Sequence, residues 1–255
     1  MRVALAFWGI TRSLKYTIES IKEHIFKPLQ MENIEYKIFM HTYRMNEIYT
    51  NIRAKEKNIR LNNEEYKLLN PDVFIIDNQM EVADNLELAK YRTKGDPWRN
   101  QYGSLNNFIL AMYSKKKVTE LISQSCFDFD YVIYLRPDVR YHSYLHSGLI
   151  TQANEKSICI PNFQLYCNFN DRFAICFKTN YKLLGNMFDV LYEYSLVTQL
   201  HSETIHTKKM KRDGIHVEKI PFYFKRIRAN GMVMNDFAGL DLTKEPTLTE
   251  VLTLN

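Results

Sequence analysis

The chain has 255 residues, 45% apolar and 25% charged, with a formal net charge of +5; this is the profile of a soluble globular protein with room for one substantial α/β domain. Eight glycines and seven prolines are too few for long disordered linkers, and no segment approaches the roughly 18 apolar residues that a membrane span needs. The positive surplus suits a phosphate-bearing small molecule, whereas nucleic acid would call for a denser basic face than this scatter offers.

In chain order, residues 2–8 read as a buried strand, and Leu14, Ile18, Ile21 and Ile25 recur at helical spacing. Thr11 or Ser13 is placed to cap that helix and Pro28 to end it. A second strand, Tyr36–Met40, runs into His41-Thr42-Tyr43, and a third, Val73–Ile76, closes on Asp77. The polar stretch between them reads as short helical pieces. A long helix spans Trp98 to about Ser123 and delivers the chain to Asp130–Leu135, a fourth strand. Beyond residue 150 come Ser157–Pro161 and Phe173–Phe177 as strands, helices over Tyr181–Val197 and His201–Lys211, and a strand over Ile215–Phe224. The alternation predicts an α/β/α sandwich, a mostly parallel twisted sheet flanked by helices, in a single domain over 1–255. Cys126, Cys159, Cys167 and Cys176 show no C-x-x-C pair and read as buried free thiols in a reducing compartment. The apolar run at the N-terminus is short and interrupted by Gly9, unlike a signal peptide, so the chain reads as soluble and cytoplasmic.

Several chemistries lack their motifs. There is no G-x-G-x-x-G, no P-loop, no G-x-S-x-G and no H-E-x-x-H, which weighs against dinucleotide oxidoreductases, P-loop kinases, serine hydrolases of that fold and zinc peptidases.

The fourth strand ends in Arg136-Pro137-Asp138. Ligands of open parallel sheets sit beyond the carboxyl ends of the strands, and a proline there stiffens the exit. Asp138 at that rim is a candidate ligand for a divalent cation and Arg136 for phosphate oxygens; the alternative is an Arg–Asp pair that closes a surface turn. Gly9, Thr11 and Arg12 follow the first strand, where a glycine admits close backbone approach and a helix N-terminus attracts phosphate; an ordinary strand-to-helix turn is the alternative. His41 and Thr42 end the second strand, where a base or ribose would rest, a satisfied structural histidine being the alternative, and Asp77 ends the third as a ribose ligand or a plain turn residue. Arg226 and Arg228, two residues apart, would share a strand face and close over a diphosphate. His201 and His206 read as metal or phosphate contacts, or equally as an exposed helical face.

In their order and spacing, ALAFWGITRS, FMHTYR, FDYVIYLRPDVRY, NFNDRFAICFKTNY and the later HSETIHTKKMKRDGIHVEKIPFYFKRIRANG resemble the small GT-A-type glycosyltransferases, especially viral and bacterial glycan-building enzymes. The likeness covers nearly the whole chain and implies a GT-A-like fold with a nucleotide-sugar half at 1–140 and an acceptor-side half at 141–255. It also implies transfer of a sugar from a UDP- or GDP-linked donor to a hydroxyl of a glycan or glycoconjugate, with no nucleic-acid partner. In such proteins the start of the long helix lies beside the donor, which singles out Arg99, Gln101 and Ser104; a capped helix with Tyr102 and Leu105 in the core is the equal alternative. A carboxylate is wanted near the attacking hydroxyl if the reaction inverts; Asp171 is the first candidate and Glu203 the second. The resemblance further implies Mn²⁺ or Mg²⁺ on Asp138, although position 136 is Arg where the Asp-x-Asp motif has its first Asp, so that Arg136 is an alternative source of the positive charge. Abundant Asn, Lys, Ile and Tyr together with the likeness suggest a large DNA virus as source. The competing readings are a non-catalytic binder of sugar nucleotide or glycan with the same fold, and a basic nucleic-acid-binding module.

Overall fold

The computed structural model describes residues 1–51 and 54–237; the last residues of the expected 1–255 domain lie outside them. The strands are β1 (Arg2–Trp8), β2 (Glu35–Arg44), β3 (Ile48–Asn51), β4 (Glu56–Arg60), β5 (Val73–Asn78), β6 (Tyr131–Leu135), β7 (Val139–Tyr141), β8 (Ser157–Pro161), β9 (Ala174–Phe177), β10 (His216–Ile220) and β11 (Phe224–Arg226). The α-helices are α1 (Leu14–Ile21), α2 (Lys27–Met31), α3 (Gln79–Asn85), α4 (Gly103–Gln124), α5 (Ser147–Ile150), α6 (Tyr181–Gly185), α7 (Phe188–Val197) and α8 (Ser202–Arg212).

Seven strands form one sheet in the order β10-β8-β9-β6-β1-β2-β5. β9 runs antiparallel to both its neighbours and the other pairs are parallel. The α/β/α expectation is met: a mostly parallel sheet carries helices on both faces. Period-2 geometry explains why β1 is apolar from Val3 to Trp8. Val3, Leu5 and Phe7 pack with Leu14, Ile18, Ile21 and Ile25 of the first helical run, while Ala4, Ala6 and Trp8 pack with Leu105, Phe108, Ile109 and Met112 of α4 on the opposite face.

The elements depart from expectation in places that have physical causes. The first helical run passes Pro28 and continues to Met31, because a π-turn over Lys22–Phe26 lies ahead of the proline, which sits in the first turn of α2; there its missing N–H is tolerated. Ser13 does not cap α1: its hydroxyl donates to the Ile227 carbonyl at 3.0 Å and tethers the C-terminal segment. The polar stretch after β2 holds the antiparallel β3–β4 pair as well as the 3₁₀ turn at Glu65–Leu69, rather than helical pieces alone. The helix expected over Tyr181–Val197 is interrupted after Gly185. The strand expected over Ile215–Phe224 breaks at Pro221, and β11 pairs antiparallel with β7 outside the main sheet, since proline donates nothing to a ladder. All four cysteines are free; Cys159 and Cys176 are buried as expected, but Cys126 and Cys167 are exposed. Among the described residues no helix is long and apolar enough to cross a membrane.

Candidate functional site

A cleft of about 400 Å³ opens at the carboxyl end of the sheet. β1 delivers Trp8 and, one turn on, Arg12; the exit of β6 delivers Arg136 and Asp138. Because β9 is reversed, its beginning lies at the same edge as the ends of its parallel neighbours. That reversal brings Asp171 and Arg172, just before β9, to the rim. The N-terminus of α8 adds Ser202 and Glu203, α4 adds Ser104 and Asn107, and β11 with its extension adds Arg226 and Arg228.

Of the residues predicted from sequence, Arg12, Ser104, Arg136, Asp138, Asp171, Glu203, Arg226 and Arg228 therefore line one cleft. Gly9, Thr11, His41, Thr42, Asp77, Arg99 and Gln101 are not among its lining residues. Gly9 works beneath it: its φ of +94° is open to glycine, its N–H donates to Ser114 Oγ at 2.8 Å, and a side chain there would meet the Arg136 guanidinium. Thr11 is buried, and its carbonyl accepts from Leu14 N. His41 is wholly buried, bonded through Nδ1 to Ser114 Oγ at 2.8 Å and through Nε2 to Asp77 Oδ2 at 3.1 Å, with Tyr113 also donating to that oxygen at 3.3 Å. This buried network locks β2, β5 and α4 together, and Thr42 is buried beside it. Arg99 and Gln101 belong to a tight turn with φ of +51° and +58°, wound around Asp96. The Asp96 carboxylate accepts from the N–H groups of Trp98, Asn100 and Tyr102 at 3.0, 2.7 and 2.8 Å. The long helix consequently begins at Gly103 and presents Ser104 to the cleft. His206, read as an exposed contact, is wholly buried.

The Arg-Pro-Asp turn is a closed ionic unit. Arg136 forks onto Asp138, Nε to Oδ1 at 2.9 Å and Nη2 to Oδ2 at 2.6 Å, and Arg12 Nη2 reaches Oδ2 at 3.4 Å. Burial alone would raise the Asp138 carboxyl, but the charges of Arg136 and Arg12 outweigh it and hold the group below its ordinary value. Asp138 is only 3% exposed, and both of its oxygens face guanidinium donors. Arg12 also lies 3.6 Å from the buried Glu56, whose other oxygen accepts from Ala229 N at 2.5 Å.

This placement bears on the divalent ion that the resemblance implies. A cation needs carboxylate oxygens free to coordinate, and those of Asp138 are committed to two arginines. Among the described residues no group of three or more His, Cys, Asp or Glu side chains is arranged to hold a metal. As folded, the residues do not fit a divalent ion on Asp138, and the ligand role expected for that carboxylate is replaced by one of anchoring Arg136 and Arg12.

Across the cleft, Asp171 and Glu203 face a common guanidinium. Arg172 lies 3.9 Å from each, the Ser202 hydroxyl donates to Asp171, and His201 Nδ1 is 3.3 Å from Glu203. Burial, then the charge of Asp171, pushes the Glu203 carboxyl up to about 7. Asp171 goes the opposite way: burial would raise it, but Arg172 and His206, with the Ser202 hydroxyl and Lys115, hold it well below the usual carboxylate range. Two carboxylates driven apart in this way divide the roles of ionised partner and proton acceptor.

The arginines differ in how far they are satisfied. Arg226 is gripped by the buried Asp236, with Nη2–Oδ1 at 2.6 Å and its own backbone N–H on Oδ2 at 2.7 Å. Arg228 makes no ion pair among the described residues, and its buried Nε lacks a hydrogen-bond partner. Burial, then Arg12 and Arg226, lowers its guanidinium from the ordinary value.

Several lining residues escaped prediction. Trp8 reads as core in the sequence, yet its indole is held between Arg136, 5.0 Å from the ring centroid, and the buried Lys115 at 4.3 Å. Burial lowers the Lys115 ammonium to about 8. Trp98 stacks on His201 at 5.0 Å, and Tyr166 lies 4.3 Å from the same imidazole, giving the cleft an aromatic wall. Arg172 stands beside Asp171 in the sequence and its charge was the available signal. Tyr166, on a loop, and Asn51, the last residue of β3, carried none, since contacts between distant parts of the chain bring them in.

No protein-family model matches the chain and no curated protein matches it. Among solved structures, mouse xyloside xylosyltransferase 1 in its apo form is similar at 11% identity over 86% of this chain and 85% of that one, with a TM-score of 0.43. A glycosyltransferase involved in glycosylation of the major capsid of PBCV-1 is similar at 7% identity over 86% and 82%, with a TM-score of 0.43. The galactosyltransferase LgtC, in complex with donor and acceptor sugar analogs, is similar at 12% identity over 85% and 73%, with a TM-score of 0.44. By name all three are glycosyltransferases, the class whose motifs the sequence resembles; a likeness this loose is silent on substrate, and that question falls to the residues of the cleft.

Proposed function

We propose that the protein is a glycosyltransferase that takes its sugar from a nucleoside-diphosphate donor, UDP- or GDP-linked, and passes it to a hydroxyl of a glycan or glycoconjugate. One observation carries this reading: a single cleft at the carboxyl end of the sheet holds five arginines and a pair of carboxylates whose proton affinities are driven apart. In such a transfer the bond from the anomeric carbon to the donor phosphate breaks, a bond to the acceptor oxygen forms, and the diphosphate leaves with added negative charge. Guanidinium groups already oriented in the cleft stabilise that charge without reorganising. The acceptor hydroxyl must also lose a proton. Glu203, with an affinity near neutrality, suits that task better than Asp171, which stays ionised and orients Ser202 and Arg172. This reverses the order in which the sequence ranks the two. The size of the cleft is that of a small-molecule site, and its aromatic wall offers faces to sugar C–H groups. The nucleotide-sugar half and acceptor-side half expected from sequence correspond in this reading to the β1/β6 side and the β9/α8 side.

The test is incubation of the purified protein with a panel of UDP- and GDP-sugars and hydroxyl-bearing saccharides, following release of nucleoside diphosphate and formation of product. Transfer that disappears in Glu203→Gln supports the reading. Tight donor binding without hydrolysis or transfer on any acceptor would make the protein a binder of sugar nucleotides instead.

A further inference from the structure

The arginine cluster has a specific imbalance. Arg136 and Arg12 are occupied by Asp138 and Glu56, Arg226 is occupied by Asp236, and Arg172 is shared between Asp171 and Glu203. Among the described residues Arg228 is left over: it lines the cleft, stands in the field of Arg12 and Arg226, and keeps a buried Nε without a partner. An unpaired guanidinium is costly to bury unless an anion completes it. The same surroundings disfavour a divalent cation, since the one carboxylate at the β6 exit is closed by the Arg136 fork and flanked by arginines.

We propose that the cleft binds the diphosphate of its donor as a free anion, without a divalent cation, and that Arg228 is the residue that completes the anion site. This rests on the sugar-nucleotide reading for the identity of the ligand, but not for its charge. Arg228 would donate its planar fork to phosphate oxygens, with Arg12 and Arg136, held in place by Asp138, supplying fixed positive charge behind it. The turn that resembles a metal-binding motif then serves a different end: its aspartate holds two arginines in position, and these take over the task of a metal in neutralising the leaving group.

Calorimetric titration of the full chain with UDP, GDP and inorganic pyrophosphate tests this, once in excess EDTA and once in excess Mn²⁺ or Mg²⁺. Affinities in EDTA should fall within roughly threefold of those with metal, and Arg228→Gln should weaken binding about tenfold or more. Arg228→Lys, which keeps the charge and loses the fork, should recover only part of it. Thermal unfolding of both variants, expected to match the wild-type chain without ligand, separates loss of the site from loss of the fold. Nucleotide binding that vanishes in EDTA and returns with Mn²⁺ would overturn the inference while leaving the glycosyltransferase reading intact, as would unchanged affinity in a folded Arg228→Gln protein. Metal-free pyrophosphate binding lost in Arg228→Gln, with no preference for nucleotides and no transfer, would keep the inference and remove that reading. Failure of every anion to bind under either condition would remove both.

Discussion

Asp171 and Glu203 lie 32 positions apart in the chain, yet they meet at one guanidinium, with Arg172 3.9 Å from a carboxylate oxygen of each. Asp171 holds the Ser202 hydroxyl and keeps its charge; Glu203, pushed up by burial and by its neighbour's charge, keeps its proton to about neutrality. That asymmetry makes the pair usable for proton transfer.

Glu203→Gln should lower transfer by roughly 10²–10⁴-fold with little effect on donor affinity, the range for loss of a general base. In the wild-type chain activity should climb with pH and reach half its limiting value near pH 7, because only the ionised carboxylate accepts the proton. Initial rates against pH check both points, and a rate insensitive to pH between 6 and 8 would remove Glu203 from the role.

Asp138→Ala should cost about 3 kcal/mol or more in stability, since it leaves Arg136 and Arg12 facing each other without the buried carboxylate between them. Urea unfolding measures this. A loss below about 0.5 kcal/mol would place the pair among exposed ion pairs of little worth.

Gly185→Ala should destabilise by about 1–3 kcal/mol, the usual penalty of overpacking. A methyl group there would collide with both Thr119 Oγ1 and Tyr134 Oη, and those two hydroxyls are themselves bonded at 2.8 Å under α6. Unfolding midpoints decide the matter, with Gly103→Ala as a comparison in which the nearest atom, Asn100 Nδ2, lies at an ordinary 3.8 Å.

His206 should make stability fall in mild acid. Its imidazole is wholly buried, donates through Nδ1 to the Ser202 carbonyl at 2.8 Å and stacks on Phe169 at 4.9 Å. Burial first, and then the charge of Lys115, pushes it down to about 4. Between about pH 6.5 and 4 the unfolded chain takes up a proton that the folded chain refuses, so stability declines as pH falls through that window and the contribution levels off below it. The full drop is on the order of 3 kcal/mol. Denaturation curves across the window should slope less in His206→Gln, and an identical slope would show the ring to be protonated in place.

Much of the architecture was legible in the sequence because burial leaves a periodic mark. A strand covered on both faces must be apolar where it is covered, as β1 is from Val3 to Trp8 and β6 from Val132 to Leu135; a helix facing a core repeats its apolar residues, as Leu14 to Ile25 do. Strand ends were legible as well, and with them Arg12, Arg136 and Asp138, since polar residues closing an apolar run mark the rim of a parallel sheet. What those residues do there was decided by tertiary structure. Whether Asp138 faces a cation or a guanidinium depends on the rotamer of Arg136 and the approach of Arg12 from another strand, and neither leaves a trace in spacing. Likewise Asp77 comes near the end of its strand as read, but β2 runs on past His41 to Arg44, and the two residues bond to each other instead of lining the cleft. The reversal of β9, which carries Asp171 and Arg172 to the rim opposite Glu203, has no local signature, because an apolar strand reads the same in either direction. Periodicity records which side of an element is buried; the partners that a charged group finds, and therefore its chemistry, are set by contacts between residues far apart in the chain.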